Sequence, residues 1–313
     1  MTVFSSRAAS LGARALMTGR CSFNNISKTG GIILRRFVED SLDRAARLFH
    51  RHKGRLFHPA APTLAAHDPT ARRYIFNHIP KTGGLSLHRL LSRSLGSAHI
   101  SPHFALDEDL DYAVNAADYE KYLVIFGHIG VVWNDVIGPD RRWMTMLRDP
   151  VDRVLSEYYF WRNAVPPSPN LQHIQAAKTL SLREFVSWRG TDNTQTWFLA
   201  DDFPAPRRKV PPDAALDTAQ RNLAERFDFI GIFEEFDESV RRLSSLLGLL
   251  YRPRRVPFEN RTPRRKSAGE IDPETIAAIR EQNSLDCALY EYAVALNRTR
   301  AEEAQSRQSA VLP

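Results

Sequence analysis

Residues 75–87 read IFNHIPKTGGLSL, and the order of events in that stretch decides the architecture. Tyr74, Ile75, Phe76 and Ile79 make an apolar run suited to a buried strand, Pro80 stops it, and Leu87, Leu90, Leu91 and Leu95 then fall at helical spacing. A strand, a glycine turn and a helix in direct succession bring backbone N–H groups and the positive end of a helix to one point, which suits an anion. The turn is Lys81-Thr82-Gly83-Gly84, and Ser86 lies in the first helical turn, where its hydroxyl reaches an anion held by the loop. The lysine precedes the glycines, the reverse of the Gly-Lys-Ser/Thr order of ordinary nucleotide triphosphatases, which counts against a nucleotide-dependent kinase. The same tetrapeptide occurs at Lys28–Gly31, after the polar stretch 22–27 and without a strand pattern, and is expected to be coincidence.

Outward from this point, apolar runs alternate with helical periodicity: Tyr122–Phe126, Trp143–Leu147 then Val151–Trp161, and Phe227–Phe233 then Phe236–Leu247. That alternation predicts an α/β fold with a mainly parallel sheet flanked by helices. A last long helix is expected over Pro273–Leu296. Three regions follow: a poorly structured basic leader and linker over 1–71, a folded domain over 72–296 and a polar, fraying tail over 297–313.

The chain has 313 residues and a formal net charge of +7. Its first 38 residues hold six basic groups and no acid, leaving 37 basic residues against 36 acidic ones in the rest. A nearly neutral body without a recognition motif counts against nucleic-acid binding. No run approaches the length of a membrane-spanning helix, and the two cysteines give neither a disulfide framework nor a metal-ligand spacing. The acid-free start has the composition of an organellar transit peptide and equally of a loose bacterial N-terminus.

A second element lies at 141–162, RRWMTMLRDPVDRVLSEYYFWR. Trp143–Leu147 reads as a strand, Arg148 ends it, Asp149 caps the next helix and Pro150 suits its first position. Val151, Val154, Leu155 and Tyr158 share one side of that helix, so Ser156, roughly opposite, is not expected in the core. Arg148 and Ser156 together offer a guanidinium fork and a hydroxyl to a second anion. The alternative is a surface arginine paired with Asp152.

The two elements together resemble the sulfotransferases that use 3′-phosphoadenosine 5′-phosphosulfate (PAPS), in the branch of the uronyl and heparan sulfate 2-O-sulfotransferases and their bacterial relatives. HIPKTGGLS (78–86) is similar to that family's 5′-phosphosulfate loop and LRDPVDRVLSEYY (147–159) to its 3′-phosphate segment, with further likeness at FGHIG (126–130), DNTQTWFL (192–199), FIGIFEEFDESVRRL (229–243) and NSLDCALYEYA (283–293). The resemblance implies a P-loop-like sulfotransferase fold and PAPS as cosubstrate, without a metal. It implies that Lys81, Thr82, Gly83, Gly84, Leu85 and Ser86 hold the 5′-phosphosulfate, and Arg148 and Ser156 the 3′-phosphate. Leu85 stands where the family often has threonine, which removes a hydroxyl but keeps the backbone N–H. The implied acceptor is a carbohydrate hydroxyl, and its oligomeric partners are not indicated.

The acceptor hydroxyl needs a base, for which an imidazole is suited near neutral pH. His128 is the candidate, with His78 and His103 behind it. The uronyl enzymes resemble this place with His-Gly-His, whereas Phe126 stands first here, so a PAPS-binding protein impaired in catalysis is the alternative reading. Asn193 and Gln195 are expected near acceptor or nucleotide, and Arg261, Arg264 and Lys266 in a basic loop either over the 3′-phosphate or simply solvated. Animal members of the family are usually membrane-anchored Golgi proteins, and the lack of an anchor here suggests a cytoplasmic bacterial enzyme.

If the leader is separate from the fold, a chain starting at Arg72 should be soluble and melt within a few degrees of the full chain by circular dichroism. A much earlier melt would show that residues 1–71 pack on the domain.

Overall fold

The computed structural model describes residues 72–105, 119–131, 140–165, 171–188, 192–200, 210–250 and 265–311. The leader with the first KTGG lies outside these residues.

The sheet has five parallel strands: β1 (Tyr74–Asn77), β2 (Phe104–Ala105), β3 (Val124–His128), β4 (Arg142–Leu147) and β5 (Phe227–Ile232), in the order β2-β3-β1-β4-β5. Its strands read as apolar runs because both faces are covered. On one face Tyr74, Phe76, Val124, Phe126 and Met144 pack against α1 (Gly84–Leu95) through Leu87, Leu91 and Leu95, and against α7 (Phe236–Leu246) through Val240 and Leu243. On the other, Ile75, Ile125, Trp143 and Ile230 meet α5 (Thr194–Ala200), α6 (Ala215–Glu225) and α9 (Ser284–Val311). Between β4 and α5 the chain forms α2 (Pro150–Asn163), α3 (Leu171–Thr179) and α4 (Leu182–Trp188). These pack on one another and on α8 (Pro273–Gln282).

β1 is central, and the chain runs from it first to the β3 side and later to the β4 side. The loops after β1 and β4 therefore leave the carboxyl edge side by side at a switch point, where open α/β sheets bind ligands. The parallel sheet and its helical cover agree with the expected fold class. β3 starts two residues later than expected and includes Gly127 and His128, which pair with Asn77, Phe104 and Ala105.

Two expectations at the C-terminal end need correction. The single helix over Pro273–Leu296 is broken at Asn283, whose side chain folds back onto the Ile279 carbonyl (2.8 Å). The helix that follows does not fray after Asn297 but runs to Val311. Polar residues there are tied to the sheet: Asn297 donates to the Ile230 carbonyl (2.9 Å), and the Arg300 guanidinium to the carbonyls of Phe227 (2.9 Å), Leu223 (3.2 Å) and Ala224 (2.8 Å). These bonds cap the C-terminal carbonyls of α6 as well as holding α9. Arg300→Ala should lower the unfolding free energy by about 1–3 kcal/mol, the scale of hydrogen bonds to a charged group. Denaturant melts of the two proteins measure this, and superimposable curves would show that α9 docks without it.

Candidate active site

The loop from Pro80 to Gly84 is wound tightly enough to put Lys81 (φ 72°) and Gly83 (φ 87°) in the left-handed region. Glycine is required at both glycine positions. A Cβ on Gly83 would lie 2.7 Å from the Phe233 ring, and one on Gly84 only 2.0 Å from the His78 ring. The first N–H groups of a helix have no intrahelical acceptor. Here those of Ser86 and Leu87 turn back to the Gly83 carbonyl (3.1 and 3.3 Å), and those of Gly84 and Leu85 have no acceptor among the described residues. The Thr82 hydroxyl is spent on the Ile79 carbonyl (2.8 Å), so Thr82 holds the loop's shape and has only its backbone N–H to offer an anion. Ser86 is buried, and Leu85 is 42% exposed beside the loop.

Lys81 extends toward α2, with Nζ 3.7 Å from the centre of the Phe160 ring. Burial pulls its pKa down to about 8, opposed by the Glu157 carboxylate one turn before Phe160. Glu157 in turn pairs with the buried Arg153 (3.3 Å).

Arg148 is 6% exposed and so is not the surface arginine of the alternative reading. Asp152 pairs instead with Arg265. Nη1 of Arg148 donates to the Lys81 carbonyl (3.1 Å), its guanidinium lies 4.1 Å over the Phe233 ring, and its buried Nε has no hydrogen-bond partner among the described residues. Burial, then the charge of Arg265, lowers its pKa to about 10, so it stays cationic. Ser156 is 7% exposed, contrary to expectation, because α2 is enclosed by α3, α4, α8 and α9 and not by the sheet alone. Beside Arg148, an open pocket of about 600 Å³ is lined by Phe233, Phe236, Asp152 and the carboxylates of 234–238. An unpartnered guanidinium nitrogen held away from water is an incomplete site, and an anionic group on the ligand completes it.

The structure corrects the reading of Asn193 and Gln195 as ligand contacts. Asn193 accepts from the N–H groups of Leu285 (3.0 Å) and Asp286 (3.2 Å) at the start of α9. Gln195 is fully buried, accepts from the Arg148 N–H and donates to its carbonyl, both at 2.9 Å. Asp286, to which sequence reasoning gave no role, accepts from the N–H groups of Gln195 and Thr196 and from the Thr196 hydroxyl. Arg265 was also passed over between Arg264 and Lys266. Of the basic loop, Arg261 and Arg264 lie outside the described residues, and Lys266 is exposed.

His128 ends β3 and donates Nδ1–H to the His78 carbonyl (2.6 Å), so Nε2 carries the lone pair. His78 Nδ1 and His103 Nε2 are 2.6 Å apart. Burial holds both imidazoles neutral, His78 well below its ordinary pKa and His103 at about 4, with the His128 charge adding to the effect. Phe126 faces the core and stacks on Phe76 with ring centres 4.5 Å apart. The three histidines are scattered over fifty residues of sequence, which is why no ligand spacing announces the cluster.

The sulfotransferase family model (Sulfotransfer_2) matches residues 69–293, and the chain belongs to this family. Among curated relatives, heparan sulfate 2-O-sulfotransferase 1 of Xenopus laevis is 21% identical over 82% of this chain and 81% of its own. Human uronyl 2-sulfotransferase is 24% identical over 57% of this chain and 49% of its own, so the match spans about half of that relative. A solved structure of mouse sulfotransferase SULT7A1 complexed with PAP is 12% identical, with a TM-score of 0.45 over 76% of this chain and 92% of that one.

Lys81 is charged below about pH 8 and loses its proton above it, so affinity for an anionic nucleotide such as adenosine 3′,5′-bisphosphate should weaken as pH rises through about 8. Glu157 raises this pKa, so Glu157→Gln should move the decline to lower pH. Calorimetry at stepped pH gives both curves. Affinity constant from pH 7 to well above 9 would show that Lys81 does not meet the nucleotide.

Proposed function

We propose that this sulfotransferase-family chain moves a sulfuryl group from PAPS to a hydroxyl of a carbohydrate. The observation that carries the reading is the join between the two anion sites: the buried, incompletely bonded guanidinium of Arg148 donates to the carbonyl of Lys81, within the glycine loop. Loop and strand end are thereby set for one ligand with phosphate at two places. The 3′-phosphate falls to Arg148 and to the Ser156 hydroxyl, and the 5′-phosphosulfate to Lys81, the N–H groups from Thr82 to Leu85 and the Ser86 hydroxyl. The pocket beside Arg148 has room for the nucleoside.

The acceptor oxygen attacks sulfur in line as the bond from sulfur to the bridging oxygen breaks, releasing adenosine 3′,5′-bisphosphate. Negative charge grows on that bridging oxygen. Lys81 and the loop N–H groups are fixed before it appears, so little reorganisation is needed. The acceptor proton passes to His128 Nε2, and the imidazolium formed is stabilised by its Nδ1–H bond to the His78 carbonyl. The 2-O-sulfotransferase relatives support a saccharide acceptor.

The test supplies radiolabelled PAPS and a panel headed by 2-O-desulfated heparan sulfate. Lys81→Ala should reduce turnover by about 10²–10³-fold and His128→Ala by about 10²–10⁴-fold, the latter with nucleotide affinity intact. Arg148→Ala should instead weaken adenosine 3′,5′-bisphosphate by about 1.5–3 kcal/mol. Undiminished transfer in Lys81→Ala, or undiminished nucleotide affinity in Arg148→Ala, would overturn the assignment.

A further inference from the structure

His78, His103 and His128 reach one spot from the turn after β1, the residue before β2 and the end of β3. One ring nitrogen from each lies within 4.8 Å of the other two. His128 is held as metal-bound imidazoles usually are, with Nδ1–H donating to a backbone carbonyl. His78 Nδ1 and His103 Nε2, 2.6 Å apart, share a single proton that a cation can replace. A tetrahedral Zn²⁺ with bonds of about 2.0–2.1 Å sets its nitrogens about 3.3 Å apart. The 2.6 Å pair is closer than that and all three nitrogens lie within 4.8 Å, so rotations of the rings on the scale of about 1 Å bring them to that spacing.

The cluster suits one class of ion. Three neutral imidazoles and no carboxylate favour Zn²⁺, Co²⁺ or Ni²⁺ over Mg²⁺ or Ca²⁺, which want oxygen. Phe126 backs the trio, with ring centres 5.6 and 5.8 Å from His78 and His103, while His103 and His128 are half-buried. His88 is not counted as a fourth ligand, because its ring nitrogens fall outside the group that the other three form.

We propose that His78, His103 and His128 form a three-imidazole site for a borderline divalent ion such as Zn²⁺, whose occupation takes the His128 lone pair and switches sulfuryl transfer off. Binding stands on the trio alone, and the switch rests on His128 as the base under the function proposed above.

The experiment titrates the full chain, first stripped by a chelator, with Co²⁺ and follows its visible absorption, with Zn²⁺ as competitor. One equivalent should give the strong band of four-coordinate cobalt, which Zn²⁺ abolishes. His103→Ala should remove the band and weaken binding at least tenfold, and His128→Ala should do the same, while His88→Ala should leave both unchanged. Only the faint spectrum of six-coordinate cobalt in the wild-type chain, or equal binding by wild type and His103→Ala, would overturn the site; the wild-type spectrum decides even if a variant fails to fold. Transfer that persists with the site filled by Zn²⁺ would overturn the switch and the role of His128 while leaving the nucleotide site standing.

Discussion

Residue 148 is held at both ends of its peptide unit by one side chain. The Gln195 amide accepts from the Arg148 N–H and donates to the Arg148 carbonyl, both at 2.9 Å. The backbone leaving β4 is thereby fixed where strand gives way to helix, a point at which main-chain groups otherwise lack partners. Gln195 is fixed in turn by Asp286 at the start of α9, which accepts from its N–H and from two groups of Thr196. From Asp286 through Gln195 to Arg148, and through Nη1 to the Lys81 carbonyl, a line of hydrogen bonds runs from the C-terminal helix to the glycine loop. The positions of Arg148 and of the glycine loop thus depend on residues that belong to neither element.

What this line holds is unfavourable alone. Arg148 and Arg153 are buried cations, the half-buried Lys81 lies close to both, and burial depresses the pKa of Arg148 and Lys81. A group of like charges kept from water is costly unless an opposite charge joins it. Glu157 offsets part of it by pairing with Arg153 beside Lys81, and Asp152 and Glu234 offset part of the charge on Arg148. Charges fixed in advance need no rearrangement when a phosphate arrives, and the strain is relieved by binding.

Most of this architecture is legible in the sequence because strands buried on two faces and helices with one apolar side have distinct periods. The strand-to-helix turns at 80–84 and 148–150 are legible too, since each places its polar residues where a strand pattern stops. The supporting shell is not. The helix Thr194–Ala200 is buried on every side and shows no amphipathic period, so Gln195 reads as a candidate contact and not as a clamp. Asp286 and Arg300 look like surface residues of a polar helix, and only tertiary partners reveal them. Ser156 lies off the apolar stripe yet is buried, because helical wheels do not count neighbours other than the sheet.

His78 sets donor and acceptor halves against each other. Its ring lies so close to Gly84 that no side chain fits there, and its carbonyl holds the Nδ1–H of His128. In-line displacement requires the leaving oxygen and the attacking oxygen on opposite sides of sulfur, and small errors in that alignment are costly in rate. A residue that touches the glycine loop with its ring and the His128 imidazole with its backbone transmits the position of one to the other without an intervening flexible segment. Replacement of the ring would loosen the loop, whereas the carbonyl contact would persist in any residue at that place. The loop and His128 are therefore separable by mutation even though one residue positions both.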